Sequence, residues 1–501
     1  MYQHFKQYQL TDSTLAINGV RASDTPTKRV PPLKRATKKK VSSKSERYTD
    51  KLTRLWKGLF LLSDQLIDTA VESITFFDDQ VQGEREVLFF LNHLLVESHN
   101  CEGGLTSCFA PINSDPNSIR QAIYDLAISG GTVDPLFPTG YTQVRFDKMS
   151  GKYLLSFQLT YRGRLHAAKR SGLLKDYIAK LVYRKDKFEW RGNKQQPMHH
   201  YSPFDSARGA ILGGYCVTVR PNGDVDSRYY ELSELKQILE LSDQDIVNQW
   251  HEKMLLKTMI NQTSKLWPYY VANPEDVIVD AKLERTTGNR ESVDDFLAVA
   301  PVGDYLTHAL CYGMSLIGNK QRAAKTFKEY VMALSSDHKL MEETPVFSKL
   351  VAFLALSKYQ LSMNKMAQSV YLAPYKAGAI NTVHIGIMYK GLREIAFNGV
   401  LKTTLEPPHQ IEYELVYAND TVLYKGSYTI PDHAIDHKKP RGAIVGGYVI
   451  IHRESCTKVV YVDKSTLDRV AACAKSTKVQ KTWSKQYAEK SVLRQSFYQW
   501  I

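Results

Sequence analysis

Two textures of apolar spacing alternate along this chain, and each of them occurs twice. From about Asp50, the positions Leu52, Leu55, Trp56 and Leu59, then Leu61, Leu62, Leu66 and Ile67, recur every three or four residues, which predicts a helical stretch. A second helix is expected over 87–96 and a third over 119–126, with Ser118 as its N-cap and Gly130-Gly131 as its stop. The period then falls to two. Residues 142–160 read as a hairpin with its turn at 149–152, and 161–172 pass into a short helix ended by Gly172. Further strands are expected at 177–183, 188–190, 210–219 and 227–230, with a turn at Pro221-Asn222-Gly223. Ser233 then caps a helix through Leu235, Ile238 and Leu239, and a last helix covers about 248–266, ending near Pro268.

The same order returns further on. Helical spacing over 306–316, 327–334 and 346–356 precedes a strand at 381–388, a short helix over 389–399, strands at 442–451 and 458–462, and helices from Ser465 and from about 484. An internal repeat explains this. Arg208-Gly-Ala-Ile-Leu-Gly-Gly-Tyr215 comes back as Arg441-Gly-Ala-Ile-Val-Gly-Gly-Tyr448, and the register continues where Trp250 matches Trp483, Lys257 matches Lys490 and Trp267 matches Trp500. The expected class is therefore α+β: two repeated units, each with N-terminal helices, a small antiparallel sheet with a hairpin, and a basic C-terminal helix. The boundaries read as a disordered basic arm at 1–47, a first unit at 48–271, a connector at 272–305 and a second unit at 306–501.

Composition changes this picture little, and charge changes it more. The chain has 501 residues, 43% hydrophobic, which is a folded protein's share and enough length for more than one core. Its six cysteines form no C-x-x-C pair, so neither a zinc ribbon nor a disulfide framework is suggested and a reducing, intracellular setting is expected. No signal peptide opens it and no apolar run reaches the length of a membrane span, so it is expected to be soluble and cytoplasmic. The formal charge is +14, but residues 1–47 carry seven Lys and four Arg against three acids, a net of +8 that leaves only +6 for the rest. Any nucleic-acid site in the folded part must therefore be a local groove. The arm, with Lys34-Arg35 and Lys38-Lys39-Lys40, suits capture of a polyanion, a targeting signal or a solvated tail equally well.

Two stretches concentrate positive charge. Arg162, Arg164, Lys169 and Arg170 crowd one short helix whose Leu165 and Ala168 face inward, and Lys253, Lys257 and Lys265 recur at helical spacing on another. Two such faces meeting over a sheet would make a groove able to follow a phosphate backbone. In the second unit the corresponding candidates are Lys390 and Arg393, then Lys490 and Arg494. Arg208 and Arg441 are either phosphate contacts or partners of an acid such as Asp205. Tyr161 and Tyr389, with Tyr183 and Phe397, are either base-stacking platforms or core, and Trp267 and Trp500 are plugs at helix ends. Gly163, Gly209, Gly213 and Gly214 mark either tight packing or close approach to phosphate.

The segment Tyr161-Arg162-Gly163, Ala168, Ser171-Gly172, followed by strands and a basic helix with Lys257-Thr258 ending in Trp267-Pro268, resembles the RecT family of phage-type single-strand annealing recombinases. The likeness covers 80–268 well and 320–501 more loosely. It implies single-strand DNA binding, ATP-independent annealing of complementary strands through a duplex intermediate, and a homo-oligomer in ring or filament form. It further implies work beside a 5′–3′ exonuclease and a host single-strand-binding protein, without a cofactor. Two departures stand out: the chain is a tandem, and Lys390, Leu392 and Asn398 replace Arg162, Arg164 and Arg170.

Signatures of other chemistry are missing. The sequence has no G-x-x-x-x-G-K-[ST], H-E-x-x-H, G-x-S-x-G or G-x-G-x-x-G. The best metal-like run, Asp432-His433 to Asp436-His437, has no counterpart of equal spacing at His199-His200 and Asp205, so no metal, no cofactor and no enzyme activity are expected. The rival reading is a DNA-organising scaffold whose second unit serves oligomerisation and not DNA binding.

Overall fold

The computed structural model describes residues 43–205, 207–240, 244–264, 267, 305–317, 320–363, 369–400, 406–436, 438–473, 480 and 484–500, with backbone alone at 43–47, 305 and 320–322. Nearly all of the expected basic arm and connector, together with Lys265, His437 and Trp483, lies outside these residues. The arm's expected end at residue 47 falls inside a helix that begins at Ser43.

The first unit opens with four helices, α1 (Ser43–Phe60), α2 (Asp64–Ser73), α3 (Gln80–Asn100) and α4 (Pro116–Ser129). The run from Leu52 to Ile67 is two helices and not one. The chain turns at Leu61, which takes φ 51, and Ser63 caps α2 by accepting from the Leu66 amide. The cap of α4 is Asp115, not Ser118. Ser118 instead lies one turn in, where its Oγ accepts from the Leu155 amide at 2.9 Å and fastens the helix to the hairpin that follows.

That hairpin is β1 (Gly140–Asp147) with β2 (Lys152–Leu159), and it runs into α5 (Tyr161–Arg170). Thr160 caps α5, and Gly163 is required by contact: a Cβ there would stand 1.9 Å from the Thr139 carbonyl oxygen. After α5 come β3 (Asp176–Tyr183), β4 (Lys187–Glu189), β5 (Met198–His200), β6 (Ile211–Val219) and β7 (Val225–Glu231). β6 lies between β3 and β7, and β4 pairs with β5 as a separate ribbon. Gly213 and Gly214 sit in β6 where added side chains would meet the carbonyl oxygens of Tyr230 and Lys180, so their role is sheet and helix packing. Helices α6 (Leu232–Leu239), α7 (Gln244–Gln249) and α8 (His251–Ser264) close the unit. The N-cap position of α6 is Glu231, so Ser233 does not cap it.

The second unit repeats this order with α9 (Tyr305–Ser315), α10 (Lys320–Ser335), α11 (His338–Glu342) and α12 (Val346–Lys358). The hairpin β8 (Val370–Ala377) and β9 (Ile380–Ile387), α13 (Tyr389–Phe397), β10 (Gln410–Tyr417), β11 (Thr421–Leu423), β12 (Asp432–Ala434), β13 (Ile444–His452) and β14 (Thr457–Asp463) follow. Last are α14 (Lys464–Ala472) and α15 (Ser484–Ser496). Ser348 does for α12 and β9 what Ser118 does for α4 and β2, its Oγ accepting from the Val383 amide at 2.8 Å. β8 and β10 are strands that the apolar pattern did not predict. Every strand pair among the described residues is antiparallel, which makes the class α+β.

The two units share one main core. Trp56, Phe89 and Phe157 of the first and Phe353, Leu415, Val449 and Trp500 of the second belong to the same buried cluster, while the sheet of the first unit keeps a smaller one around Trp250, Leu255 and Met259. Trp500 is buried in the main core and Trp267 packs against the smaller cluster, as plugs should. Rings meet across the boundary: Phe60 stacks on Phe347 at 5.4 Å, and Tyr201 lies 4.6 Å from Tyr424. Burial of that many large side chains, each worth about 1.5–3 kcal/mol, makes the tandem one body.

Candidate nucleic-acid interface

Between the units runs a cleft with a volume of about 1780 Å³. The first unit supplies α5, β3, α8 and the 130–139 loop; the second supplies the β8–β9 hairpin, β14 and α15. The apolar sides of the helices decide what faces in. Leu165 and Ala168 of α5 and Met254, Leu255 and Met259 of α8 are buried in the smaller core, which leaves Arg162, His166, Lys169 and Arg170, then Lys253 and Lys257, to line the cleft. From the other side α15 brings Tyr487, Lys490 and Arg494, and the hairpin brings Tyr371, Tyr375 and His384. Eleven Lys or Arg side chains line the cleft against three acids, Glu86, Glu97 and Asp134. Two of those acids are already engaged, because Lys358 Nζ lies 3.0 Å from Glu86 and 2.8 Å from Asp134. The remaining field is strongly positive.

Individual groups are held in place. The Arg162 guanidinium lies 3.7 Å from the centre of the Tyr498 ring and donates from Nε to the Tyr161 hydroxyl at 3.0 Å, so an aromatic from each unit fixes it. Lys253 donates to Gln495 Oε1 at 2.8 Å, again across the boundary. Burial, helped by the charges of Arg469 and Arg162, brings Lys253 down to about 8. Lys169 is also brought to about 8, by burial with Lys458 and Arg453 and against the pull of Asp176. Burial lowers Lys490 and Arg494 as well. These cations crowd one another in a partly dry cleft, and a bound polyanion would relieve that.

Of the residues proposed from sequence, Tyr161, Arg162, Lys169, Arg170, Lys253, Lys257, Lys490 and Arg494 come together here. Arg164, Lys390, Arg393 and Tyr389 do not line the cleft, and Tyr389 and Phe397 pack against the main core. Arg208 and Arg441 are elsewhere and engaged. Arg208 donates to both oxygens of Asp186 at 2.9 and 2.6 Å, and its guanidinium lies about 4 Å from the rings of Tyr183 and Tyr201. Arg441 does the same with Asp420 at 3.1 and 2.6 Å over Tyr417. Each is the partner of a buried acid, but that acid is Asp186 or Asp420 and not Asp205.

The metal-like run is explained by the same pairs. His433 stands between Asp420 at 3.1 Å and the Tyr448 hydroxyl at 3.1 Å, and His199 stands between Asp186 at 3.0 Å and the Tyr215 hydroxyl at 3.2 Å. Its counterpart therefore does repeat, through Asp186 rather than Asp205. Among the described residues no group of His, Cys, Asp and Glu could hold a metal ion.

Lys458, Lys180, Tyr371, Tyr375, His384, Tyr487 and Tyr498 also line the cleft and were not anticipated. A lysine inside the apolar strand β14 was the available signal for Lys458. The hairpin residues gave none, since a strand face that meets another unit has the composition of any half-buried strand.

No helix among the described residues is long and apolar enough to cross a membrane. No curated protein matches the chain. The RecT family model matches it twice, at residues 115–293 and 335–501. These segments begin after the first helices of each unit and contain both hairpins, both sheets and both basic helices. Together they span more than half of the chain, which carries two copies of the fold and belongs to the RecT family, placing it in general terms among proteins of single-strand annealing recombination.

Proposed function

We propose that the cleft between the units binds one single strand of DNA and that the protein anneals it to a complementary strand without ATP. The observation that carries this is the convergence of eight sequence-proposed residues, from both units, on one positive cleft that also presents tyrosines. Cations along the walls neutralise phosphates, Tyr161, Tyr371 and Tyr487 offer faces on which bases can lie, and stacking and pairing of the two strands supply the free energy. No covalent step is needed, so no catalytic residue is assigned. The second unit is a wall of the same cleft through Lys490 and Arg494, which favours a shared site over a purely assembling second unit.

The test is annealing of two complementary oligonucleotides in the absence of ATP and magnesium, with Arg162→Ala/Lys490→Ala beside the parent chain. The parent is expected to accelerate annealing. The variant is expected to bind a single strand more weakly, with a salt slope reduced by about 1.4, the share of two phosphate contacts on a single strand. Binding without faster annealing would sink the reading, and unchanged affinity in the variant would move the site away from the cleft.

A further inference from the structure

Lys358 is the last residue of α12, a helix built mostly of buried apolar side chains, and its ammonium crosses the boundary into the first unit. It lies 2.8 Å from Asp134, 3.0 Å from Glu86 and 3.1 Å from the Thr132 hydroxyl, in the lining of the cleft. The next residue, Tyr359, donates its hydroxyl to the same Asp134 carboxylate at 2.6 Å. Burial opposes both charges. Even so, Lys358 brings the Asp134 carboxyl below the usual carboxylate range, and Asp134, then Glu86, raise the Lys358 ammonium above its ordinary value. The repeat does not call for this lysine: Lys358 stands ten residues after Ser348, and ten residues after Ser118, the counterpart of Ser348, stands Ile128. A buried ion pair is weak ground for stability, because desolvation offsets its attraction; what it can supply is geometry.

The geometry fixed here is that of α5. Asp134 lies in the 130–139 loop, where it also accepts from the amides of Leu136 and Phe137 at 2.9 and 2.8 Å. Both ends of this loop hold the helix. At one end the Thr139 carbonyl accepts from the amide and the hydroxyl of Thr160, the N-cap of α5. At the other the Gly130 carbonyl accepts from Arg170, in the last turn, at 3.3 Å. A row of rings carries the loop to the opposite wall: Phe137 lies 4.8 Å from Tyr359 and 5.6 Å from Phe497, Phe497 lies 5.5 Å from Tyr498, and Arg162 lies over Tyr498.

We propose that Asp134 and Lys358 are a positioning pair for annealing: they clamp the 130–139 loop to the second unit and so set α5, with Arg162, against Lys490 and Arg494 of α15. This role rests on the cleft being a single-strand site, as proposed above. Neither residue has to touch the strand. Binding draws on the summed field of the walls, which tolerates a shifted helix. Pairing with a complement needs the strand held in one arrangement, and orientation is lost on small displacements. Charge alone predicts the opposite. Removing Asp134 takes an acid out of a basic cleft and releases the Lys358 ammonium, so a strand should bind more tightly and anneal no more slowly.

Asp134→Asn separates the two, since its amide oxygen can still accept from Leu136 and Phe137 while the ion pair is lost. Fluorescence anisotropy with a labelled oligonucleotide, and annealing at saturating protein, are compared with the parent chain. The variant is expected to bind a single strand at least as tightly as the parent and to anneal about tenfold more slowly. Tyr359→Phe removes one bond to Asp134 and no charge. It is expected to slow annealing less, at the parent's affinity, and it serves alone if Asp134→Asn melts early. Hydrogen exchange of the DNA-free chains is expected to speed up in 130–139 and 161–170 and to keep the parent's rate in β13. Annealing at the parent's rate, affinity and annealing falling together, or exchange that speeds up equally throughout would each overturn the proposal. A parent that binds a strand and does not anneal would instead sink the reading of the cleft, and exchange in α5 would then still decide whether the pair positions that helix.

Discussion

Lys458 Nζ lies 2.8 Å from each carboxylate oxygen of Asp176, joining the last strand of the second unit's sheet to the first strand of the first unit's sheet. Both residues are buried, and the Tyr428 hydroxyl donates to the same carboxylate at 2.7 Å. Burial would raise the Asp176 carboxyl, yet Lys458 first and Lys169 second bring it down to about 2. The pair is a seam between the units, and Asp176 also holds up the basicity of its neighbour Lys169 against the burial that lowers it.

Breaking that seam is expected to be costly. Lys458→Ala leaves a buried carboxylate short of its main partner and should lower the unfolding free energy by about 3 kcal/mol, the range seen when one member of a buried pair is removed. Asp176→Asn combined with Lys458→Met should recover part of the loss, because neither charge is then stranded. Urea denaturation of the two variants beside the parent reads this. A single-variant loss near 0.5 kcal/mol would mark the pair as solvated and energetically minor.

The paired arginines of the repeat are expected to matter for stability and not for affinity. Arg208→Met and Arg441→Met should each cost about 2 kcal/mol, by leaving Asp186 or Asp420 under-bonded. The sign of the pH effect follows from the carboxyl of Asp420, which Arg441 holds down to about 2 against burial. A folded value below the unfolded one, about 3.9, contributes stability that is present above about pH 4 and lost as pH falls towards 2. Melting temperatures between pH 7 and pH 2 should therefore converge for the parent and Arg441→Met, while the salt slope of single-strand binding at pH 7 should not change. A reduced slope would restore a phosphate contact to these residues.

Binding itself is expected to be pH-dependent. Lys169 and Lys253, each near 8, are partly neutral in the free protein at that pH, and phosphate stabilises their charged form. Binding should therefore take up protons, and affinity should fall between pH 7 and pH 9. Lys253→Arg keeps its charge throughout and should flatten the profile. Fluorescence anisotropy with a labelled oligonucleotide at constant ionic strength measures this; a parent profile as flat as the variant's would contradict it.

Much of the fold was legible because its signals are local. Helical spacing from Leu52 and over 346–356, alternation over 142–146 and the glycine stop at Gly172 depend only on neighbours along the chain. Where local reading failed, a distant contact had intervened. Ser118 resembles a cap, but its hydroxyl is taken by Leu155, and Asp115 does the capping. Leu61 continues the apolar run, but the chain reverses there so that both flanking helices can face the same core. β8 was hidden by Pro374, which an unflanked two-stranded hairpin tolerates.

From the linear order of residues alone came the duplication, the α+β class, the position of each basic helix and the family likeness, since these rest on periodicity and on spacing repeated at a constant offset. Folding decided which cations share a cleft. Arg162, Lys257, Lys490 and Arg494 meet because α5 and α8 of the first unit reach the last helix of the second and the residues after it, Arg162 lying over Tyr498 and Lys253 bonding Gln495, whereas Arg208 and Arg441, equally prominent in the repeat, turn to buried carboxylates beside them. A charge is directed by the nearest opposite charge and by the water it can keep. Both are set by residues as far apart as Asp176 and Lys458, which no local pattern relates.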